Sequence, residues 1–141
     1  ADLCHLPLGV LKLIYRCKGA DKMYLITDGL EYSATETKEG TLVMQKNGAP
    51  SIYEDGVMKL ADRSCIAGSV ATTDRLVRNM YKRVGVPLCD AVKMASLTPA
   101  RVIGIDSKKG KIEKDFDADL IMFDDDINIS FVMVGGSVVK A

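Results

Sequence analysis

The stretch Met23-Tyr24-Leu25-Ile26-Thr27-Asp28-Gly29 decides how the rest of the chain is read. It is a short apolar run without clean alternation, which suits a strand buried on both faces, as in a parallel sheet covered by helices. Asp28 then stands at the strand's C-terminal end. Open α/β sheets and α/β barrels bind ligands and carry catalytic groups at that edge, so the carboxylate reads as a catalytic acid or base. Asp28-Gly29 is also a common turn dipeptide that can close a hairpin, and on this stretch alone the turn is favoured.

Working outward toward the N-terminus, Val10, Leu11, Ile14 and Cys17 form an apolar stripe between Leu6 and Cys17. Pro7 lies near its start, Arg16 and Lys18 near its end, and Gly19 where a C-terminal cap belongs, so an amphipathic helix is expected. Only Ala20, Asp21 and Lys22 separate it from the run ending at Thr27, a spacing typical of repeating α/β units. His5, just before the helix, is expected in a loop on the same side of the sheet as Asp28.

Working outward toward the C-terminus, the polar segment 31–40 reads as a loop. Thr41 to Lys46, Ser51 to Tyr53 and Val57 to Leu60 follow, separated by Asn47-Gly48 and Asp55-Gly56, both strong hairpin signals. Pro50 argues that the middle piece is irregular or at an edge. Ile66-Ala67-Gly68-Ser69 leads into a helix with Ser69 or Thr72 as N-cap, an apolar face of Leu76, Val77, Met80, Tyr81 and Val84, and Gly85 at its end. Free N–H groups at that start suit an anion, though a plain N-cap is favoured. Helices from Leu88 to Leu97 and from Thr98 to Gly104 come next, with the methionines as core fillers. Beyond Asp106, Leu120 to Phe123, Ile129 to Val134 and Val138-Val139 read as short antiparallel strands. Lys108, Lys109 and Lys111 are followed closely by Asp115, Asp117 and Asp119 and fit a solvated turn better than a phosphate patch. Asp124-Asp125-Asp126 fits a polar turn better than a calcium loop, because no glycine and downstream glutamate complete it.

The composition narrows the function classes. With 141 residues, 48% hydrophobic and 27% charged, the chain can bury a core. Nineteen basic and nineteen acidic residues cancel, which leaves no electrostatic footprint for nucleic acid or an anionic membrane. No apolar run reaches the roughly 18 residues of a membrane span, and Ala1-Asp2-Leu3-Cys4 has no signal-peptide pattern, so a soluble, cytoplasmic protein is expected. Cys4, Cys17, Cys65 and Cys89 are scattered and read as reduced core residues. One histidine excludes a His-rich metal site made by this chain alone. A single α/β unit is far short of a closed (β/α)8 barrel of about 250 residues, so the chain is expected to be a fragment of one.

Taken together, the motifs resemble one family. Ile26-Thr27-Asp28, Leu60-Ala61-Asp62 leading to Ala67-Gly68-Ser69, Val77-Arg78-Asn79, Met94-Ala95-Ser96, Thr98-Pro99-Ala100-Arg101 and Gly104 are similar to the C-terminal part of the N-acetylglucosamine-6-phosphate deacetylase family, in the amidohydrolase superfamily. Gly110-Lys111-Ile112, Ala118-Asp119-Leu120, Asp124 and Val134-Gly135-Gly136 continue the match. The spacing from Thr27-Asp28 to Ala67-Gly68-Ser69, Thr72 and Asp74 is its most specific feature.

The resemblance implies an α/β fold, with residues 1–105 from the C-terminal portion of a (β/α)8 TIM-like barrel and 106–141 supplying returning strands of a small β-sandwich domain. It implies hydrolysis of the acetamide of N-acetylglucosamine 6-phosphate, with Asp28 as the catalytic proton-transfer group. His5, Ile66, Ala67, Gly68 and Ser69 become substrate-binding residues, the last four in a loop that closes around the sugar. A divalent metal such as zinc is implied, its ligands mostly outside this chain, as are an amino-sugar phosphate substrate and a homo-oligomer. Gly29 stands where the family often has alanine. Other amidohydrolases, an N-acetylgalactosamine-6-phosphate deacetylase or a cyclic-amide hydrolase among them, and a non-catalytic module of the same fold are the rival readings.

Overall fold

The computed structural model describes residues 1–140, which form a mixed α/β fold of two antiparallel sheets around a helical body. Helix α1 (Leu8–Lys18) starts after Pro7 and ends at Gly19 (φ 68°), whose N–H donates to Tyr15 O. Arg16 and Lys18 lie in its last turn, where the helix dipole favours cations. Leu11 is its buried residue, with Ile14 and Tyr15 half-buried beside it. Val10 and Cys17, expected on that face, are exposed, because the face is set by the Leu11–Ile14–Tyr15 stripe and these two lie on its flanks.

Segment 23–29 is extended, but it is not a ladder strand among the described residues. Leu25 N donates to Met94 O (2.9 Å), and the only β-pairing is a single parallel bridge from Gly29 to Ser69. The expected burial on both faces is corrected as well: Leu25 is buried, whereas Tyr24 and Ile26 are 47 and 63% exposed. A strand needs a neighbour along its whole length, and here the neighbour is mostly a helix on one side.

The Asn-Gly and Asp-Gly signals hold. Strands β1 (Leu42–Met44), β2 (Pro50–Glu54), β3 (Val57–Leu60) and β4 (Ile66–Gly68) form an antiparallel sheet in that order, with Tyr53 opposite Met58 and Met58 opposite Gly68. Asp55 (φ 55°) and Gly56 (φ 72°) are both left-handed, the geometry a two-residue hairpin connection demands. Two expectations change. Pro50 opens the interior strand β2, a position where a missing N–H is tolerated, and Ile66–Gly68 is a fourth strand instead of a loop. Ser51, Ile52, Val57 and Met58 are the buried residues of this sheet.

Thr72 precedes α2 (Thr73–Arg78), which runs on as a π-helical turn over Asn79–Val84 until Gly85 (φ 82°) stops it. Helices α3 (Leu88–Ala95) and α4 (Leu97–Val102) follow. Leu76, Val77, Met80, Val84, Ala91 and Met94 join Leu11 and Leu25 in the main core, so Met80 and Met94 do fill it. Thr98 Oγ1 donates to Ala20 O (2.6 Å) and Tyr15 Oη to Asp90 Oδ2 (2.5 Å), tying α3 and α4 to the α1 end.

The C-terminal strands are as expected: β5 (Leu120–Phe123), β6 (Ile129–Val134) and β7 (Ser137–Lys140) form a three-stranded antiparallel sheet in that order. Asp124 accepts from Asp126 N and Asn128 N through Oδ1 and from Asn128 Nδ2 through Oδ2, all at 2.9 Å, which makes the triple-aspartate stretch a polar turn. Lys109 pairs with Asp117 and Asp119, as a solvated turn requires. This piece docks on the helices through buried Ile127, the Lys82–Asp126 ion pair and contacts of Arg78 and Gly110. Arg78 donates to Asp126 O and Ile127 O, and Gly110 (φ 90°) lies where a Cβ would be 2.6 Å from Leu97 Cα. All four cysteines carry free thiols, but Cys17, Cys65 and Cys89 are exposed, so the expected core placement fails for three of them. No helix among the described residues is long and apolar enough to cross a membrane.

Candidate functional site

Asp28 is held at the end of the extended segment in the left-handed region (φ 47°), which an aspartate tolerates better than most residues. It is exposed, and among the described residues its carboxylate has no hydrogen-bond or ion-pair partner. The next two residues fix its place. Gly29 bridges to Ser69, and Leu30 N donates to Ser69 O (2.8 Å), so the Asp28 end and the Ile66–Ser69 stretch are brought together.

Ser69 is buried, and its Oγ accepts from Ala71 N (3.1 Å), so the hydroxyl braces its own turn. Ala67 O accepts from Gln45 Nε2 (2.9 Å), which also donates to Ser51 Oγ (2.8 Å) and locks β4 to the sheet interior. Gly68 has φ 132°, and a Cβ on it would lie 2.5 Å from Leu30 Cδ1. Ile66 is 38% exposed at the strand's start. At Gly29 a Cβ would meet Ser33 Oγ at 2.5 Å, so the glycine leaves room for a buried hydroxyl that itself has no partner among the described residues.

His5 makes no hydrogen bond or ion pair to Asp28 among the described residues; its partner is Asp2. Its Nδ1 is 2.6 Å from Asp2 Oδ2, while Cys4 N and His5 N donate to Asp2 Oδ1 at 3.1 and 3.2 Å. Burial works to raise the Asp2 pKa, but hydrogen bonds from the His5 ring and from the His5 and Cys4 amides together hold the carboxyl below its ordinary value. Asp2 was not singled out by sequence. The Asp-x-x-His spacing was its only available mark.

A groove of about 360 Å³ borders Gly29, with Leu30, Glu31, Tyr32, Gln45, Lys46 and Asn47 around it. Glu31 and Lys46 form an exposed ion pair there (2.6 Å), of little energetic weight. A larger cleft of about 770 Å³ opens between α3–α4 and the C-terminal sheet, lined by Val92, Ala100, Ile103, Leu120, Phe123 and Val132. It reaches none of the candidate residues, and its charged groups Lys109, Lys111, Asp117 and Asp119 are already paired, Lys111 with Glu113. Chemistry therefore favours the Asp28 rim over the larger cleft. The described residues contain no group of three His, Cys, Asp or Glu able to hold a metal ion, so they do not form a metal site by themselves.

The carboxylate at the end of the extended segment thus stands beside the glycine-bearing end of β4, on a mixed α/β scaffold. The amidohydrolase family profile matches residues 18–139, and the chain belongs to that family. Within it, the chain is 31% identical to the N-acetylglucosamine-6-phosphate deacetylase of Lysinibacillus sphaericus over 97% of its length, and 29% identical to the N-acetylgalactosamine-6-phosphate deacetylase of Escherichia coli O157:H7 over 96%. The solved N-acetylglucosamine-6-phosphate deacetylase of Pasteurella multocida superposes on 99% of the chain with a TM-score of 0.88 at 27% identity. The chain spans about a third of the length of these relatives, 34% of each of the two sequences and 35% of the solved structure.

Proposed function

We propose that this chain supplies the C-terminal part of a metal-dependent deacetylase acting on the acetamide of N-acetylglucosamine 6-phosphate, with Asp28 as its catalytic residue. The observation that carries the reading is the fixed junction of the Asp28 end with Ser69 through the Gly29 bridge. It sets a free carboxylate beside the Ile66–Ser69 segment. In the reaction water adds to the acetamide carbonyl and the C–N bond breaks, giving acetate and glucosamine 6-phosphate. An amine leaves poorly until protonated, so one group that takes the proton from water and delivers it to nitrogen serves both steps. Asp28, solvent-facing and unpaired among the described residues, is suited to that shuttle. His5 and the 66–69 segment contact the sugar phosphate, with β4 as a rigid wall. In this reading the ligands of the divalent metal lie mostly outside this chain.

In the same reading, residues 1–105 belong to a (β/α)8 barrel and 106–141 to a small β-sandwich. The enzyme is cytoplasmic and homo-oligomeric, and the exposed apolar side chains of β7 and α4 support association. The test is acetate release from N-acetylglucosamine 6-phosphate, with N-acetylgalactosamine 6-phosphate alongside. It is run with added divalent ion on this chain and on the longest product of its reading frame. Turnover of N-acetylglucosamine 6-phosphate by the longer product, abolished by D28N, is the expected result. Folded, metal-loaded protein inactive on both sugars would overturn the substrate assignment, and preference for the galactosamine substrate would replace it.

A further inference from the structure

We propose that Asp2 is a positioning residue that fixes the His5 ring so that Nε2 is the nitrogen offered to a ligand. The identity of that ligand, a sugar phosphate, rests on the deacetylase reading. The positioning does not.

Asp2 is 5% exposed, yet both its oxygens are used: Oδ1 accepts the Cys4 and His5 amides, and Oδ2 lies 2.6 Å from His5 Nδ1. An ionised carboxylate only accepts hydrogen bonds, so Nδ1 carries a proton. The hydrogen bond made by one ring nitrogen decides the state of the other, and among the described residues His5 is left with Nε2 unpartnered on a side chain 41% exposed.

The backbone around the pair is over-determined. Leu3 sits at φ 69°, a conformation a bulky side chain disfavours. Asn79 Nδ2 donates to Ala1 O (3.1 Å) on one side of this strained residue. On the other side, Arg75 Nη2 lies 3.8 Å from Cys4 Sγ while Nη1 donates to Gly56 O (2.9 Å). The turn that brings Asp2 under His5 is thus clamped to α2, to the π turn and to the β2–β3 hairpin. If Asp2 merely closed a local turn through its Oδ1, the imidazole would be free to choose its tautomer.

His5 is the single histidine of the chain, so long-range proton–nitrogen correlation spectra of the 141-residue protein contain one imidazole. The wild type is expected to show the Nδ1–H tautomer at alkaline pH, and D2N to lose that bias toward Nε2–H. A wild-type ring found mainly as Nε2–H overturns the proposal without any variant. So does D2N, with the amide spectrum of the folded protein retained, if it keeps the wild-type tautomer. An Nδ1–H ring, with the longer product inactive on both sugar phosphates, would strike the functional reading alone. A reversed tautomer in an active enzyme would strike the positioning alone.

Discussion

Hairpins β2–β3 and β6–β7 are built alike, from apolar strands closed by a two-residue turn containing glycine, yet Val57 and Met58 are 2 and 0% exposed whereas Val138 and Val139 are 55 and 69% exposed. Strand pairing is a local matter that turn chemistry and a few residues settle. Burial is not local. The first hairpin meets the helical body through Arg75 on Gly56, and its sheet meets the Asp28 end through Ser69, while the last strand is exposed at every residue. The candidate site accordingly sits with the packed sheet.

The largest effect that follows concerns chemistry on that packed side. D28N, which keeps a residue at ease in the left-handed region, should lower kcat for acetate release by about 10²- to 10⁴-fold without unfolding the protein. Retention of a tenth of the wild-type rate would separate the site from this sheet. Next, M58A should cost about 2–5 kcal/mol in urea denaturation, because Met58 is fully enclosed. G68A should cost about 1–3 kcal/mol, from a strained φ and from contact with Leu30, and should reduce turnover together with stability.

Asp2 gives a pH-dependent contrast. Its folded pKa lies below the ordinary 3.8, so its contribution is present above that value and is lost as pH falls through the folded one. Acid unfolding curves of the wild type should therefore fall more steeply below about pH 4 than those of D2N, and parallel curves would remove Asp2 from the linkage. The smallest effect belongs to the bare sheet. V139T should stay within about 0.5 kcal/mol of wild type, and a loss as large as that of M58A would erase the difference between the two hairpins.

These contrasts track what was legible in the sequence. Asn47-Gly48 and Asp55-Gly56 act over four residues, so the hairpins were readable, as were Gly19 and Gly85 as helix stops. Segment 23–29 departs from a strand buried on both faces because its neighbours are set by residues distant in the chain: among the described residues Ser69, forty positions on from Gly29, gives its one β-bridge, and Met94 of α3 takes the Leu25 amide. Ile66–Gly68 was too short, and too close to a helix start, to announce itself as a strand. Cys17 and Val10 were misplaced because periodicity allows several neighbouring stripes, and tertiary contacts choose among them. Asp28 was picked out by position along the chain. Asp2 was not, since its role appears only once Leu3 turns the backbone back on itself.

The π turn at Asn79–Val84 acts as a phase corrector. Leu76, Met80 and Val84 are spaced by four, and in an α-helix each such step overshoots a full turn by about 40°, so the third would drift off the face of the first. The wider turn, in which Gly85 and Val86 both donate to Met80 O, absorbs that drift and keeps all three in the core. The azimuth at which the chain leaves for α3 is therefore set by a single surplus residue. Removing it would re-aim the whole second half of the molecule.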